Sequence, residues 1–231
     1  MPTQTIIAFD ADDTLWKTQP HYDQVEVELL GILTPYADLD TINARLYDMQ
    51  RANMQLFGYG AKSFMLSMIE TAIQLSDGAV HGHEIQRILD LGRDLLRYPI
   101  EPLPDVLEVL TEFKQRGHRL VLLTKGDLLD QESKVARSGL GDFFDHVEIV
   151  SEKDEPTYRR LFARLGIRPD NFVMIGNSLK SDILPVVRLG FPAIHVPYHA
   201  NWIHEHVPAE LLVGVEFRVV GRLREVLELV R

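Results

Sequence analysis

From residue 100 onward the sequence alternates short apolar runs with single helical patterns, and this alternation restricts the fold more than any other feature. Runs of strand character lie at 119–123, 147–150, 172–175, 193–196 and 216–220, and one more, 5–9, stands near the start. Between Pro104 and Gly117, the residues Val106, Leu107, Leu110 and Phe113 recur at helical spacing. Proline suits a first helical turn and glycine a C-terminal cap. The device recurs over 156–166, with Leu161, Phe162 and Leu165, and over 181–190, with Ile183, Val186, Val187 and Leu189. Strands separated by single helices predict right-handed crossovers and a parallel sheet. The expected core is therefore α/β: a Rossmann-like parallel sheet with helices on both faces.

The stretch 18–99 breaks this rhythm. It has no period-2 run and reads as four helices, near 21–33, 38–56, 61–75 and 82–96. Turn signals separate them: Thr34-Pro35, Gly58-Tyr59-Gly60 and Ser76-Asp77-Gly78. Pro99, Pro102 and Pro104 stiffen the return to the sheet. The organisation expected is a core of 1–17 and 100–231, with an all-helical cap domain, 18–99, inserted between the first and second strands.

Composition narrows the function. The 231 residues are 45% hydrophobic and 25% charged, enough for a full core and a smaller second one. The formal net charge of −10 disfavours nucleic acid and anionic membranes as partners. An anionic small substrate remains compatible with it, because a bound cation and a lysine reverse the sign locally. With no cysteine, disulfides, thiol nucleophiles and thiolate metal sites are excluded. No basic, signal-like segment precedes the first strand and no apolar run is of membrane-spanning length. The expectation is a cytoplasmic protein.

The chemistry concentrates where strands end. The first run leads into Asp10-Ala11-Asp12-Asp13-Thr14. Two carboxylates two positions apart, at the carboxyl edge of a sheet, converge where open α/β folds bind ligands. One can attack as a nucleophile, the other can move protons, and a third acid can complete a site for a hard cation. The second run ends in Leu122-Leu123-Thr124-Lys125-Gly126, a hydroxyl before a glycine turn, suited to an oxyanion. After the third comes Lys153, a compact positive charge ahead of a helix. After the fourth comes Gly176-Asn177-Ser178-Leu179-Lys180-Ser181-Asp182. Asn177 and Asp182 offer oxygen ligands there, and Asp182 is equally suited to capping a helix.

This ordered set resembles the haloacid dehalogenase superfamily, whose members are mostly magnesium-dependent phosphatases. It consists of D-x-D-x-T, Leu-Leu-Thr, a lysine ahead of a helix, and G-N-S-x-x-x-D. The resemblance covers essentially the whole chain, since many members carry a helical cap where residues 18–99 lie. It implies Asp10 as the nucleophile that takes up phosphate. Asp12 would be general acid and base, with its backbone carbonyl on the metal. Thr124, Lys125 and Lys153 would bind the substrate phosphate. Asp10, Asp12, Asp182 and Asn177 would supply the Mg²⁺ site, with either Asn177 or Asp182 touching the ion. The implied substrate is a small phosphorylated metabolite. Two positions depart from the commonest pattern: Asp13 stands where glycine is frequent and should point away from the pocket, and Asn177 stands where aspartate is frequent.

Other features bear on specificity. Tyr59 and Lys62, at a glycine-flanked turn of the cap, are candidates for reading the substrate, and a helix connection is the plain alternative. His195, His199, His204 and His206 match no closed zinc pattern and read as a loop after the fifth strand. His81 and His83 also read as loop, and the cap methionines as core filling. The rival activities on such a fold are a phosphomutase, a phosphonate hydrolase using Lys62, a haloacid dehalogenase, and a non-catalytic binding protein. Dehalogenases of the family lack the second acid, which is present here as Asp12.

Overall fold

Ile6-Ile7-Ala8-Phe9 form β1 (Ile6–Phe9), and all four side chains are buried, as expected of a strand covered on both faces. The structure, a computed structural model, describes residues 4–200 and 202–230. β1 is followed by α1 (Gln19–Leu33), α2 (Leu39–Phe57), α3 (Ala61–Leu75), α4 (Gly82–Leu95) and α5 (Val106–Gln115). The rest of the sheet then alternates with helices: β2 (Arg119–Lys125), α6 (Leu128–Ser138), β3 (His146–Val150), α7 (Glu155–Leu165) and β4 (Phe172–Gly176). A π-helical turn (Leu179–Ile183) leads into α8 (Leu184–Arg188), then β5 (Ala193–His195), β6 (Arg218–Val219) and α9 (Val226–Leu229). The six strands are all parallel, in the order β3-β2-β1-β4-β5-β6.

This order makes β1 a switch point. The chain winds outward to β2 and β3 on one side, then returns to β4 and builds the other. Register aligns the strand ends: Phe9 lies opposite Leu122 of β2 and Ile175 of β4, and the Asp10 N–H donates to the Ile175 carbonyl at 2.9 Å. Ligands in open α/β sheets bind at this crevice.

Alternation along the strands sorts side chains between two helical layers. Ile6 and Ala8 join Val121, Leu123 and Met174 against α7, through Tyr158 and Phe162, and against the α8 segment, through Ile183 and Val186. Phe9 points the other way, with its ring 6.2 Å from Phe113 of α5. Helices thus cover both faces. α7 shows the local code plainly. Asp154 accepts the Thr157 N–H at 2.9 Å as N-cap, Pro156 fills the first turn, and Gly166 closes the helix at φ +65°.

Two compact units emerge, one of Met1–Gln19 with Ile100–Arg231 and the other of Pro20–Pro99. The ends of the expected core, residues 1–3 and 231, lie outside the described residues. Within the first unit the chain leaves and re-enters side by side: the Leu103 N–H donates to the Leu15 carbonyl at 2.8 Å, and Pro102 bridges to Trp16. The second unit holds α2–α4 and nearly all of α1, packed on Leu29, Leu33, Ile42, Phe64, Met68 and Ile88. Met68 is fully buried in that core.

Some expectations need correction. The last strand shrinks to two exposed residues, Arg218 and Val219, paired only to β5. His83 is not loop: it lies in the first turn of α4, while His81 stands just before that helix as its extended N-cap, its N–H donating to Glu84 at 2.8 Å. α6 had no counterpart in the expected pattern, because the side chains it buries are Asp130, Gln131, Lys134 and Ser138. A search for apolar periodicity passes over such a helix.

Among the glycines of the described residues, Gly176 leaves the least room for a side chain. A Cβ there would lie 2.3 Å from Oδ2, 2.4 Å from Cγ and 2.6 Å from Cβ of Asp182. Backing away would shift the whole Asp182 side chain, not just its tip. Gly176→Ala should therefore lose about 1–3 kcal/mol of stability in equilibrium urea unfolding, as overpacking does. Gly221→Ala, whose Cβ would meet its nearest atom at an ordinary 3.6 Å, should stay within about 0.5 kcal/mol of the parent. Equal stability for the two variants would contradict the close packing described.

Candidate functional site

The aligned strand ends bring Asp10, Thr14, Lys153, Asn177 and Asp182 together, all within the first compact unit. Asp10 extends β1 by one residue. Lys153 lies three residues past β3, just before the Asp154 cap, and its ammonium reaches back to both Asp10 and Asp182, the latter at 2.7 Å. Lys153 is only 4% exposed, and Asp182 is fully buried. A buried ammonium is tolerable only with such partners, and the two carboxylates hold its pKa above the usual lysine range against the opposing effect of burial.

Asp182 does not cap a helix by its own position. Ser178 is the cap, its hydroxyl accepting the Ser181 N–H at 3.0 Å, and Asp182 sits four residues on, accepting the Ser178 N–H at 3.0 Å. One carboxylate oxygen thus pins the loop after β4, and the other holds Lys153. Asn177 is tied to the first motif. Its N–H donates to the Thr14 hydroxyl at 3.0 Å, and that hydroxyl lies 3.0 Å from Asp10 Oδ2 and 3.1 Å from Asn177 Oδ1. The single Thr14 proton serves one of these two oxygens at a time.

Two carboxylates against one ammonium leave a buried excess of one negative charge. Burial first, and the Asp182 charge second, push the Asp10 carboxyl up to about 7 despite Lys153. The side-chain oxygens around that excess are carboxylate and amide, the ligand chemistry of a hard divalent cation. Among the described residues no three Asp, Glu or His side chains form a metal cluster. A cation here would draw on two carboxylates and complete its shell with neutral oxygens.

Asp12 is held separately. Its Oδ1 accepts the Trp16 indole N–H at 2.8 Å and the Thr18 hydroxyl at 2.7 Å, and its Oδ2 accepts the Gln131 amide at 2.9 Å. The Lys134 ammonium spans both oxygens, at 3.0 and 3.1 Å. Burial works against ionisation, but Lys134 and these hydrogen bonds outweigh it and hold the carboxyl below its ordinary range. Asp13 is turned away, its carboxylate accepting the Thr18 and Gln19 backbone N–H groups at 2.8 and 3.0 Å. Its φ of +61° is left-handed, which accounts for a glycine preference at such a turn. Burial raises its carboxyl to about 7.

The remaining expected residues fall in three places. Thr124 is buried at the carboxyl end of β2. Lys125 is next to it, but its ammonium is engaged by Glu205 at 2.6 Å and the Ser181 hydroxyl at 2.9 Å. Tyr59 and Lys62 belong to the other unit, at the turn and first turn of α3, with Lys62 exposed. The histidine-rich segment contributes a carboxylate: Glu205 accepts from Lys125, Ser178 and Ser181 and so braces the loop carrying Asp182. Of its imidazoles, His195 bonds the Asn177 carbonyl at 2.9 Å. Sequence reasoning missed Trp16, Thr18, Gln131, Lys134 and Glu205. For Gln131 and Lys134 a signal existed, since 130, 131, 134 and 138 recur at helical spacing between the Asp127 cap and Gly139.

Comparison with known proteins identifies the family. Residues 5–190 match the family model of haloacid dehalogenase-like hydrolases. A crystal structure of a haloacid dehalogenase-like family hydrolase from Xanthomonas campestris is 38% identical, covering 96% of this chain and 88% of that one, with a TM-score of 0.84. Glyceraldehyde 3-phosphate phosphatase of Methanothermobacter thermautotrophicus is 26% identical over 96% of this chain and 98% of its own length. N-acylneuraminate-9-phosphatase of Mus musculus is 34% identical over 38% of each chain. With its parallel sheet, its strand-end acids and these relatives, the chain belongs to the haloacid dehalogenase-like hydrolases.

Proposed function

We propose that the protein is a magnesium-dependent phosphatase that hydrolyses a small phosphomonoester through an aspartyl-phosphate on Asp10. The observation that carries the reading is the second acid: Asp12 lies two residues from Asp10 yet has its own donors, separate from those of Asp10. Two carboxylates in distinct environments can take distinct roles. The relatives named as phosphatases of glyceraldehyde 3-phosphate and of an N-acylneuraminate 9-phosphate support a small phosphorylated substrate.

Asp10, Asp182, the Asp12 backbone carbonyl and the Asn177 amide oxygen are the residues that would hold Mg²⁺. When bound, the ion offsets the charge of the carboxylates and of a phosphate dianion, which otherwise repel each other. Asp10 then attacks phosphorus. The ester P–O bond breaks as Asp12 gives its proton to the leaving oxygen. In the second step water attacks the aspartyl-phosphate, Asp12 accepts a proton from it, and Asp10 is restored as phosphate leaves. Asp12 is ionised in the substrate-free protein, and an arriving dianion favours its protonated form. Lys153 neutralises charge between nucleophile and phosphoryl group, and Thr124 donates to a phosphoryl oxygen. Lys125 contributes positive charge from its place beside Glu205. The helical unit serves as a cap that selects the part of the substrate that does not react, with Tyr59 and Lys62 as its reading residues. Cytoplasmic location fits this chemistry, and no helix of the described residues is long and apolar enough to cross a membrane.

Asp10→Asn should abolish turnover of phosphomonoesters in a protein that is less stable but still folded, as circular dichroism would show, and a residual rate within about tenfold of wild type would refute the nucleophile assignment. Turnover should stop in excess EDTA and return with Mg²⁺. Calcium should inhibit, because its larger and looser coordination misplaces nucleophile and phosphorus. Asp12→Asn should slow alkyl phosphates by roughly 10²–10⁴-fold, the usual scale for lost general acid–base catalysis. With an activated aryl phosphate, phosphorylation of Asp10 should survive better than its hydrolysis. Phospho-enzyme should then accumulate and be trapped by acid quench and mass spectrometry.

A further inference from the structure

α6 is built inside out. An amphipathic helix on a sheet ordinarily buries an apolar stripe and exposes its polar face. Here Leu128 and Leu129 are 59% and 70% exposed, whereas Asp130, Gln131, Lys134 and Ser138 are buried. The Lys134 side chain is only 2% exposed. Burying a lysine and a glutamine where leucine or methionine would pack is costly unless their partners require them. Violations of local pattern of this kind concentrate at functional sites.

What the polar face meets is Asp12. Gln131 and Lys134, three residues apart and so on one side of the helix, deliver three of the five hydrogen bonds that reach its carboxylate. Trp16 and Thr18 bond only Oδ1, so they leave the carboxylate plane free to turn about that oxygen. Gln131 bonds Oδ2, and Lys134 bridges both oxygens, which fixes the plane. The two side chains are themselves located. Gln131 also donates to the Lys125 carbonyl at 3.1 Å, and Lys134 lies 3.7 Å from Asp130 one helical turn back. No role in the reaction as described falls to Gln131, Lys134 or Asp130.

We propose that Lys134 and Gln131 are positioning residues that orient the Asp12 carboxylate toward the leaving-group oxygen, with α6 serving as the bracket for the proton-transferring acid. This rests on the reading of Asp12 as general acid and base. A proton donor turned out of line loses its advantage for leaving groups that need protonation and loses little for those that do not. The signature of the bracket is therefore selectivity between leaving groups.

The test compares kcat/KM, which reports the steps up to phospho-enzyme, on an alkyl phosphate and on p-nitrophenyl phosphate. Lys134→Met should lower the alkyl value roughly 10–100-fold and the aryl value by less than about threefold, as expected for partial loss of general acid catalysis. With the aryl ester, kcat and KM should fall together, because hydrolysis of the phospho-enzyme becomes limiting. Gln131→Leu, which strands no charge, should show the same bias at about 3–10-fold and covers the case in which Lys134→Met does not fold. In an Asp12→Asn background either change should alter rates by less than about twofold, since the group being positioned is gone. Equal loss on both esters, or losses that multiply with Asp12→Asn, would overturn the proposal and reduce α6 to a structural role. If Asp12→Asn itself spares the alkyl ester, it is the acid–base reading that has failed. If Asp12→Asn is impaired and both bracket variants act like wild type, the bracket alone has failed.

Discussion

The contact on which the rest depends is the Lys153 ammonium between Asp10 and Asp182. It joins the ends of β1, β3 and β4 in a space with almost no solvent, and each of the three groups is tolerable there only because of the others. Breaking a buried ion pair by removing one partner typically costs about 3–5 kcal/mol, far more than a surface pair. The ammonium does not balance the site, however. It leaves one negative charge beside Asp10, whose carboxyl is raised to about 7 by burial first and by the Asp182 charge second, and that remainder suits a cation rather than a bare anion.

Around this contact the structure is a set of braces. Gly176 has no side chain, so Asp182 can lie against the end of β4. Thr14 ties Asn177 to Asp10, and Glu205 ties the Asp182 loop to Lys125 at the end of β2. The π-helical turn fits the same picture, since such turns re-aim side chains near functional sites. Asp10 and Asp12 leave one short loop in opposite electrostatic directions. Asp10 joins the carboxylate-rich side, and Asp12 turns toward the donors of α6. Two chemically identical side chains thereby acquire different proton affinities, that of Asp10 raised and that of Asp12 lowered.

Much of this was legible in the residues. A parallel sheet follows from strands alternating with helices, because antiparallel pairing would not need a crossover at every step. The insertion was visible as the loss of period-2 patterning between Thr18 and Pro99. That Asp10, Lys153 and Asn177 would meet could be expected because each closely follows an apolar run and strand ends in parallel sheets share one edge, with Asp182 in the segment that follows Asn177. α6 stayed hidden because its buried face is polar, so the hydrophobic signal that reveals helices was absent there. Lys125 carried the right charge in the right turn, but its partner Glu205 comes from 80 residues away, and no local pattern announces it.

The sequence by itself determined the sheet, the helical insertion and the identity of the strand-end acids, because these depend on periodicity and on residue type at local boundaries. Only the tertiary structure decided the partners: which carboxylates share Lys153, which backbone N–H groups hold Asp13, that Asp12 is held by Gln131 and Lys134, and that Glu205 and His195 brace the loop carrying Asn177 and Asp182. Proton affinity and orientation are properties of the surroundings of a group. Those surroundings here are assembled from segments up to 163 residues apart, as between Thr14 and Asn177, and they exist only once the chain has folded.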